Sequence, residues 1–334
     1  MRNILKKMFG SNYNIQPISK YDPDLGWEFS GERWQKPFGY GDFLITFDKN
    51  GSRIFDKDSS SIKNLSTPNS ANNLIIGNSI VMAQHFPYRE TFSGILNFST
   101  AGFDGYSVYQ IVKKFKKSYS NKNWNNIVLV LSPLDIMDKE NAKSRQDKII
   151  IFNQAIDMNN IFYNQLKSLS LLRLYVLTQE TNQKKAIKMK LDISEMNNNI
   201  NNKYKDPHID SRSFVEWKNA LSDLISMSMG MGNDRKFFLV LSPTLDQVIF
   251  ARYNPNIVFE IEKKFNEVCI SLKVTKCLNL VREFPSDLKI TDIFIDNTHY
   301  NKLGHKIVAK KIETMLSNSN LNQFQGSLYG KNDI

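Results

Sequence analysis

The chain has 334 residues, of which 41% are hydrophobic, 12% aromatic and 23% charged. These proportions indicate a globular protein with a substantial core, and they exclude collagen-like, low-complexity and intrinsically disordered chains. Lysine and arginine together number 44 against 33 aspartates and glutamates, and the formal net charge of +11 favours anionic partners. No nucleic-acid-binding motif accompanies this charge, so we expect no nucleic-acid partner.

Two further features of the sequence bear on the compartment. No apolar run reaches the roughly 18 residues of a transmembrane helix, and the basic N-terminal segment lacks the apolar stretch of a signal peptide. Cys269 and Cys277 are too few for a disulfide scaffold, and they lack the second cysteine pair that a zinc site would use. We therefore expect a cytoplasmic protein in a reducing compartment, with no transmembrane segment and no metal.

The pattern along the chain predicts an arm, a core and a tail. Residues 1–70 have poor periodicity apart from FLITF at 43–47, which predicts an N-terminal arm with a short hairpin that packs on the core. Residues 71–318 are predicted to form one α/β domain, interrupted at about 137–216 by an insertion that forms a helical cap or lid. Residues 319–334 are predicted to be a C-terminal tail.

The core alternates short apolar strands with amphipathic helices. Strands are predicted in NNLIIGNS (72–79), GILNFS (94–99), NNIVLVLSP (125–133), KFFLVLSP (236–243) and EVCISLKVTKCLNL (267–280). Helical periodicity covers residues 109–119, 217–229, 257–268 and 304–316. This alternation predicts an α/β fold with a doubly wound, mainly parallel five-stranded sheet and flanking helices.

Three short motifs contain residues that can carry chemistry. Asp296 and His299 have a spacing that lets a carboxylate orient an imidazole, although a capping aspartate in a surface loop gives the same pattern. Ser79 follows a predicted strand at a glycine turn, where a serine projects its hydroxyl from the sheet edge or simply caps a helix. Gly102 and Gly105 precede a helix, where glycine either brings a backbone N–H close to a reacting carbonyl or makes a plain turn.

In this order along the chain, the motifs resemble the SGNH hydrolase (GDSL-like) superfamily. The resemblance is carried by G-N-S at 77–79, AGFDGYS at 101–107, S-P-L-D at 132–135 and D-N-T-H at 296–299. YDPDLGWEFSG (21–31) and ITFDKNGSRI (45–54) look like the lead-in of longer bacterial members, many of which are tied to surface-polysaccharide modification. The resemblance implies a three-layer, flavodoxin-like α/β fold.

The resemblance also assigns roles to the motif residues. It implies Ser79 as the nucleophile, His299 as general base and then acid, and Asp296 as the group that orients His299. It implies an oxyanion hole made by the backbone N–H groups of Ser79 and Gly105, with Gly102 as the alternative to Gly105.

Two positions depart from the family pattern. Asn78 stands where the family usually has an aspartate before the serine, and Leu134 stands where it usually has an oxyanion-hole asparagine. Leucine has no hydrogen-bond donor, and removing one oxyanion-hole donor typically lowers turnover by about 10² to 10³. Asn78 and Asp135 are predicted to lie at the substrate site.

The resemblance predicts a serine acyl enzyme that acts on O-acyl groups, typically O-acetyl groups, of a carbohydrate. With water as acceptor it is an esterase, and with a sugar hydroxyl as acceptor it is an O-acetyltransferase. No cofactor is required, and acetyl-CoA is a possible acyl donor for a transferase. The expected partner is a carbohydrate or an acylated small-molecule substrate, and an anionic glycan fits the positive charge. The alternative is a catalytically weak or inactive module that binds a glycan or a protein. In an active site the His299 ring must reach Ser79, whereas in an inactive module it need not.

Overall fold

A computed structural model describes much of the chain. The described residues are 19–22, 24–29, 34–35, 43–48, 50–58, 72–103, 105–133, 135, 148–151, 154–157, 211–230, 235–272 and 274–328. The strands are β1 (Ser19–Asp22), β2 (Gly26–Phe29), β3 (Trp34–Gln35), β4 (Phe43–Phe47), β5 (Arg53–Asp58), β6 (Asn73–Gly77), β7 (Ser99–Gly102), β8 (Asn126–Leu131), β9 (Lys148–Ile151), β10 (Gln154–Asp157), β11 (Lys236–Leu241) and β12 (Lys276–Asn279). The α-helices are α1 (Ser79–Met82), α2 (Phe92–Ile95), α3 (Val108–Ser118), α4 (Ser211–Met229), α5 (Leu245–Tyr253), α6 (Glu260–Ser271), α7 (Ile290–Ile293) and α8 (Lys302–Leu328), and a 3₁₀ turn covers Tyr88–Glu90.

The central sheet has the strand order β12-β11-β8-β6-β7-β5-β4-β3. The five strands from β12 to β7 are parallel, with Phe238 opposite Val128 and Val128 opposite Ile75. Their apolar runs are buried almost throughout β6, β8 and β11, as expected for strands covered on both faces. The predicted parallel five-stranded sheet with flanking helices is therefore confirmed.

Alternate residues of the central strands supply two apolar layers. Leu74, Leu129 and Leu239 belong to the cluster that includes side chains of α3, α4 and α6. Ile75, Val128 and Phe238 belong to a second cluster that includes side chains of α2, α7 and α8. Because successive strand residues face opposite sides, this division makes a three-layer α/β fold.

The N-terminal arm contributes antiparallel strands to the same sheet. β4 and β5 form a hairpin whose turn is closed by the Asp48 carboxylate, which accepts hydrogen bonds from the N–H groups of Asn50 and Ser52 at 2.8 Å each. β5 pairs with β7 through Arg53 opposite Thr100. The hairpin predicted around FLITF is therefore present, and it joins the edge of the central sheet.

The strand predicted in GILNFS is misplaced. Residues Phe92–Ile95 form α2, because the Thr91 side chain caps it by accepting a hydrogen bond from the Gly94 N–H at 3.2 Å. Asn97 then adopts a left-handed backbone with φ of 56°, which ends the helical turn before β7 begins at Ser99. The apolar residues Ile95 and Leu96 thus belong to a helix end and not to a strand.

The predicted helical insertion contains a β-hairpin. β9 and β10 pair antiparallel with Ile150 opposite Ala155, inside the segment at about 137–216 that the sequence predicts to be a helical cap or lid. Three consecutive isoleucines at 149–151 favour a strand because their branched side chains fit a pleated backbone. The described residues from 211 belong to α4, and the rest of the predicted lid lies outside the described residues.

The last predicted strand begins as a helix, and its two cysteines are bonded. α6 continues through Ser271, so only Lys276–Asn279 of the predicted segment 267–280 form a strand. Cys269 of α6 and Cys277 of β12 form a disulfide with a Cα–Cα distance of 6.2 Å. The expectation of a reducing compartment did not anticipate this bond, because disulfides persist mainly in oxidising surroundings. A cytoplasmic location stays a prediction.

Within the described ranges, none of the helices is both long enough and apolar enough to cross a membrane. α8 extends to Leu328, so the final helix runs into the segment predicted as a C-terminal tail.

Candidate active site

The predicted nucleophile lies at the carboxyl end of a central strand. β6 ends at Gly77, Asn78 caps the next helix by accepting a hydrogen bond from the Ile80 N–H at 2.9 Å, and Ser79 is the first residue of α1. Gly77 is required here, since a Cβ would lie 2.6 Å from the Val81 side chain and 2.7 Å from the Val130 carbonyl oxygen. The turn therefore places the half-buried Ser79 side chain at the sheet edge where α/β proteins build their sites.

A rigid loop carries the predicted base to the same edge. The loop closes on itself through a hydrogen bond from the Ile295 N–H to the His299 carbonyl oxygen at 2.9 Å. It is joined to the start of α5 by a bond from the Leu245 N–H to the Asn297 carbonyl oxygen at 2.8 Å, and the Tyr300 hydroxyl contacts the Ser242 hydroxyl at 2.5 Å. These contacts fix the loop beside the ends of the parallel strands.

Ser79, His299 and Asp296 form a hydrogen-bonded chain. His299 Nε2 lies 2.9 Å from Ser79 Oγ, and His299 Nδ1 lies 2.7 Å from Asp296 Oδ2. Asp296 Oδ1 also accepts hydrogen bonds from the N–H groups of Thr298 and His299, at 2.8 Å and 2.7 Å. The structure thus brings together the three side chains assigned to the catalytic machinery.

The surroundings of Asp296 lower the pKa of its carboxyl group. Burial by itself would raise the pKa of Asp296. The hydrogen bond and charge of His299, together with the backbone N–H groups of Thr298 and His299, outweigh burial and hold the pKa of Asp296 well below its ordinary value. With His299 Nδ1 bonded to Asp296, Nε2 is the ring nitrogen that faces the Ser79 hydroxyl.

Asn78 and Asp135 are both buried beside the turn that carries Ser79, and they are hydrogen-bonded to each other. The Asn78 amide donates to both carboxylate oxygens of Asp135 at 2.9 Å, and both residues are 8% exposed. Asp135 Oδ2 also accepts from the Ser132 N–H at 2.7 Å and from the Ser132 hydroxyl at 2.9 Å. The polar groups of Asn78 and Asp135 thus bind each other and Ser132, and their contact with substrate stays a prediction.

The structure shows the backbone at the three predicted oxyanion-hole positions, Ser79, Gly105 and Gly102. As the first residue of α1, Ser79 has an N–H without an intrahelical acceptor, which is what an oxyanion donor needs. Gly105 has a φ of 74°, a left-handed conformation that favours glycine, whereas a Cβ at Gly102 would lie 2.1 Å from the Met82 nitrogen. Close packing against Met82 therefore requires a glycine at position 102 whether or not its N–H belongs to the oxyanion hole. The choice between Gly105 and Gly102 as an oxyanion-hole donor stays a prediction. Leu134 lies outside the described residues.

Sequence reasoning missed three neighbours of the triad. Thr298 contacts Asp296 through its hydroxyl at 3.3 Å, and Ser132 joins the network behind the nucleophile. The His85 ring centroid lies 5.1 Å from that of His299. The Ser-Pro ending of the third strand was visible in the sequence as a pointer to Ser132, but nothing in the sequence placed His85 beside His299.

His85, Asp296 and His299 could also be considered as metal ligands. Among the described residues this is the group of three potential ligands whose atoms lie within 4.8 Å of one another. The hydrogen bonds within the triad already engage both Asp296 oxygens and both ring nitrogens of His299. A metal ion would have to displace those bonds, so the geometry favours a proton relay at this position.

A search of solved structures found similar chains that are described as GDSL-family proteins, lipases and esterases. One is a member of the lipolytic G-D-S-L family from Veillonella parvula, with 12% identity, 74% of this chain and 98% of that chain covered, and a TM-score of 0.40. A second is a GDSL-like lipase from Bacteroides thetaiotaomicron, with 9% identity, coverage of 78% and 94%, and a TM-score of 0.40. A third is a family 3 carbohydrate esterase from Clostridium thermocellum, with 13% identity, coverage of 74% and 96%, and a TM-score of 0.35. No protein-family model and no curated protein matches the sequence. The chemistry is therefore argued from the atoms of this site alone.

Proposed function

We propose that this protein is an SGNH-type serine ester hydrolase or acyltransferase that acts on the O-acyl groups of a carbohydrate. The observation that carries the proposal is the chain from Ser79 Oγ through His299 to Asp296, with steps of 2.9 Å and 2.7 Å. A general base must lie within hydrogen-bond reach of the proton that it removes, and His299 meets this requirement.

The geometry supports a two-stage mechanism. Ser79 Oγ attacks the ester carbonyl carbon while His299 Nε2 accepts the hydroxyl proton, and Asp296 stabilises the imidazolium that results. When the tetrahedral intermediate collapses, His299 donates that proton to the departing alkoxide, which leaves an acyl group on Ser79. His299 then removes a proton from the acceptor as the acceptor attacks the acyl-enzyme, and returns the proton to Ser79 Oγ as the acyl–serine bond breaks.

The identity of the acceptor separates the two activities. Water gives a carboxylate and an esterase, whereas a sugar hydroxyl gives a new ester and an O-acetyltransferase. Neither activity requires a resident cofactor, and acetyl-CoA would serve as a co-substrate of the transferase. The carbohydrate substrate rests on the resemblance of the lead-in segments, and the formal net charge of +11 is consistent with an anionic glycan.

The alternative is a module that binds a glycan or a protein without reacting. Leu134 and Asn78 favoured that alternative because they replace residues of the family pattern. Two observations now weigh against it: the ring of His299 lies within hydrogen-bond reach of Ser79, and the Asn78 amide is matched to the Asp135 carboxylate. The geometry therefore favours an active site over an inactive one.

The proposal is tested by covalent labelling with a fluorophosphonate, read by intact mass. We expect one adduct per wild-type chain, no adduct for Ser79→Ala, and labelling of His299→Ala slowed by about 10² to 10⁴ because the general base is lost. Ser317→Ala is the matched control, since Ser317 is an exposed serine of α8 and should leave labelling unchanged.

Two outcomes would contradict the proposal. A folded wild-type chain that gives no adduct, under conditions that label a control hydrolase, would favour the binding module. An adduct that persists in Ser79→Ala would place the nucleophile elsewhere. Once labelling is established, acetate release is compared with acetyl transfer to an added oligosaccharide, using acetyl-CoA or an O-acetylated sugar as donor.

A further inference from the structure

Arg53 is a buried cation in a part of the chain that the proposed mechanism does not use. It is the first residue of β5, in the N-terminal arm, and only 1% of its surface is exposed. Burial of a guanidinium is costly unless its N–H groups find acceptors. The groups that accept from Arg53 therefore show what the arm does for the rest of the molecule.

The Arg53 guanidinium binds the backbone at the end of the nucleophile helix. Nη1 donates to the Met82 carbonyl oxygen at 2.8 Å and to the Ala83 carbonyl oxygen at 2.7 Å, and Nη2 donates to the Phe86 carbonyl oxygen at 2.5 Å. The guanidinium also lies over the Tyr88 ring, 5.9 Å from its centroid. One side chain thus binds three carbonyl groups within the five residues from Met82, the last residue of α1, to Phe86.

α1 needs such support because it is short. It has four residues, and an isolated helix of that length is not stable in water. Its N-terminal end is capped by Asn78, whereas its last carbonyl groups have no intrahelical donors. Arg53 supplies donors to those carbonyl groups, and Ala83 ends the helix in a left-handed conformation with φ of 46°.

The same contacts hold the segment that carries His85. His85 lies between Ala83 and Phe86, whose carbonyl oxygens both accept from Arg53, and its ring is 5.1 Å from the His299 ring. Ser79 at the start of α1 and His85 after its end therefore both depend on a backbone that Arg53 clamps. A displacement of about 1 Å in such a segment can lower a rate by about 10².

We infer that Arg53 is a positioning residue that holds α1 and the segment after it in the geometry in which Ser79 meets His299. The N-terminal arm is then a part of the active site. This inference rests on the proposed function, and it assigns the lead-in segment 45–54 a role in the reaction itself. Lysine cannot replace Arg53, because a single ammonium group does not present the planar fork that reaches three carbonyl oxygens.

The test compares Arg53→Lys with Arg235→Lys. Arg235 is a suitable control because it is also buried and also donates to backbone carbonyl oxygens, those of Ser228 at 3.3 Å and Lys122 at 3.0 Å. It precedes β11 and so lies at the amino end of the parallel strands, opposite the edge that carries Ser79. Both variants lose a buried guanidinium, but only one of them acts on α1.

We expect Arg53→Lys to lower kcat and the fluorophosphonate labelling rate by about 10- to 100-fold at a temperature where the chain is folded. KM for a small ester should change little, because the displaced group is the nucleophile. Hydrogen exchange of the peptide covering residues 79–88 should accelerate. Arg235→Lys should lower the unfolding temperature while leaving the labelling rate and the exchange of residues 79–88 unchanged.

The outcomes separate this inference from the proposed function. Wild-type labelling with equal rates and equal exchange in both lysine variants would overturn the positioning role and leave the proposed function intact. Absence of a wild-type adduct would overturn the proposed function and, with it, the positioning role of Arg53. If Arg53→Lys does not fold, Arg53→Gln and Arg235→Gln are compared in the same way.

Discussion

At the scale of single residues, Asn78 and Asp135 form a hydrogen-bonded pair next to Ser79. Comparison with the SGNH pattern alone would suggest that Asn78 lacks a needed carboxylate. Asn78 replaces the usual aspartate, and its amide donates to both oxygens of the buried Asp135 carboxylate. An aspartate at position 78 would bring a second carboxylate to 2.9 Å from the first, and two carboxylates so close cannot both ionise. Asn78 is therefore the residue that Asp135 requires.

This pairing predicts the outcome of exchanging the two side chains. Asn78→Asp should lower the free energy of unfolding by about 1–3 kcal/mol, because the buried Asp135 loses its donor and gains a like charge. The unfolding temperature should then fall further as the pH rises, since both carboxyl groups are driven to ionise. The double variant Asn78→Asp with Asp135→Asn should recover stability and labelling, because one amide again meets one carboxylate.

Thermal unfolding between pH 5 and pH 8 and the fluorophosphonate rate check this prediction. Additive losses in the double variant would show that the two side chains do not act as a pair. The residue-scale account would also fail if Asn78→Asp alone were as stable and as reactive as the wild-type chain.

At the scale of secondary-structure elements, the disulfide joins the end of α6 to the edge strand β12. Its sequence separation of 8 closes a short loop, for which the chain-entropy relation gives about 2.5 kcal/mol of stabilisation. β12 lies at the far edge of the sheet, with two strands, β11 and β8, between it and β6, which precedes the nucleophile. The bond should therefore affect stability without affecting the triad.

Reduction with dithiothreitol, or the double variant Cys269→Ser with Cys277→Ser, should lower the free energy of unfolding by about 2–3 kcal/mol. The labelling rate of Ser79 should not change at a temperature where both forms are folded. Denaturant unfolding and intact-mass labelling are the measurements. Two free thiols in the unfolded chain, titrated after purification without reductant, would contradict the disulfide and restore the expectation of a reducing compartment.

At the scale of the whole molecule, the excess of positive charge bears on the substrate. A formal net charge of +11 creates a field that attracts anionic chains and that salt screens over about 10 Å at 0.1 M. A small neutral ester does not respond to that field. The dependence on salt therefore distinguishes an anionic glycan from a neutral substrate.

We expect kcat/KM for an O-acetylated anionic polysaccharide to fall by about tenfold between 50 and 500 mM sodium chloride. The value for a neutral acetyl ester of a small alcohol should stay constant over the same range and serves as the control. Equal losses for both substrates would show that salt acts on the enzyme itself. Faster turnover of a neutral acetylated polysaccharide at every salt concentration would exclude the anionic glycan.

Much of the fold and the principal side chains could be predicted from local patterns. The apolar runs at 72–77, 125–131 and 236–241 determined the buried parallel strands, because a segment covered on both faces needs an apolar side chain at nearly every position. The resemblance of the serine and histidine motifs, taken in their order along the chain, to the SGNH pattern selected Ser79, Asp296 and His299. The errors occurred where local patterns are ambiguous, as at 94–99 and 149–157, because short apolar segments fit a helix or a strand equally well.

Only the tertiary structure decided whether these residues meet. Ser79 and His299 are 220 positions apart, and their contact depends on the packing of β6 against the loop before α8. The same is true of the donation from Asn78 to Asp135 and of the clamp that Arg53 applies to α1. Sequence patterns report the preferences of neighbouring residues, whereas hydrogen bonds between distant segments exist only after the core has brought their backbones together. The side chains available for ester chemistry were thus determined by the sequence, and their arrangement into a proton relay was decided by the fold.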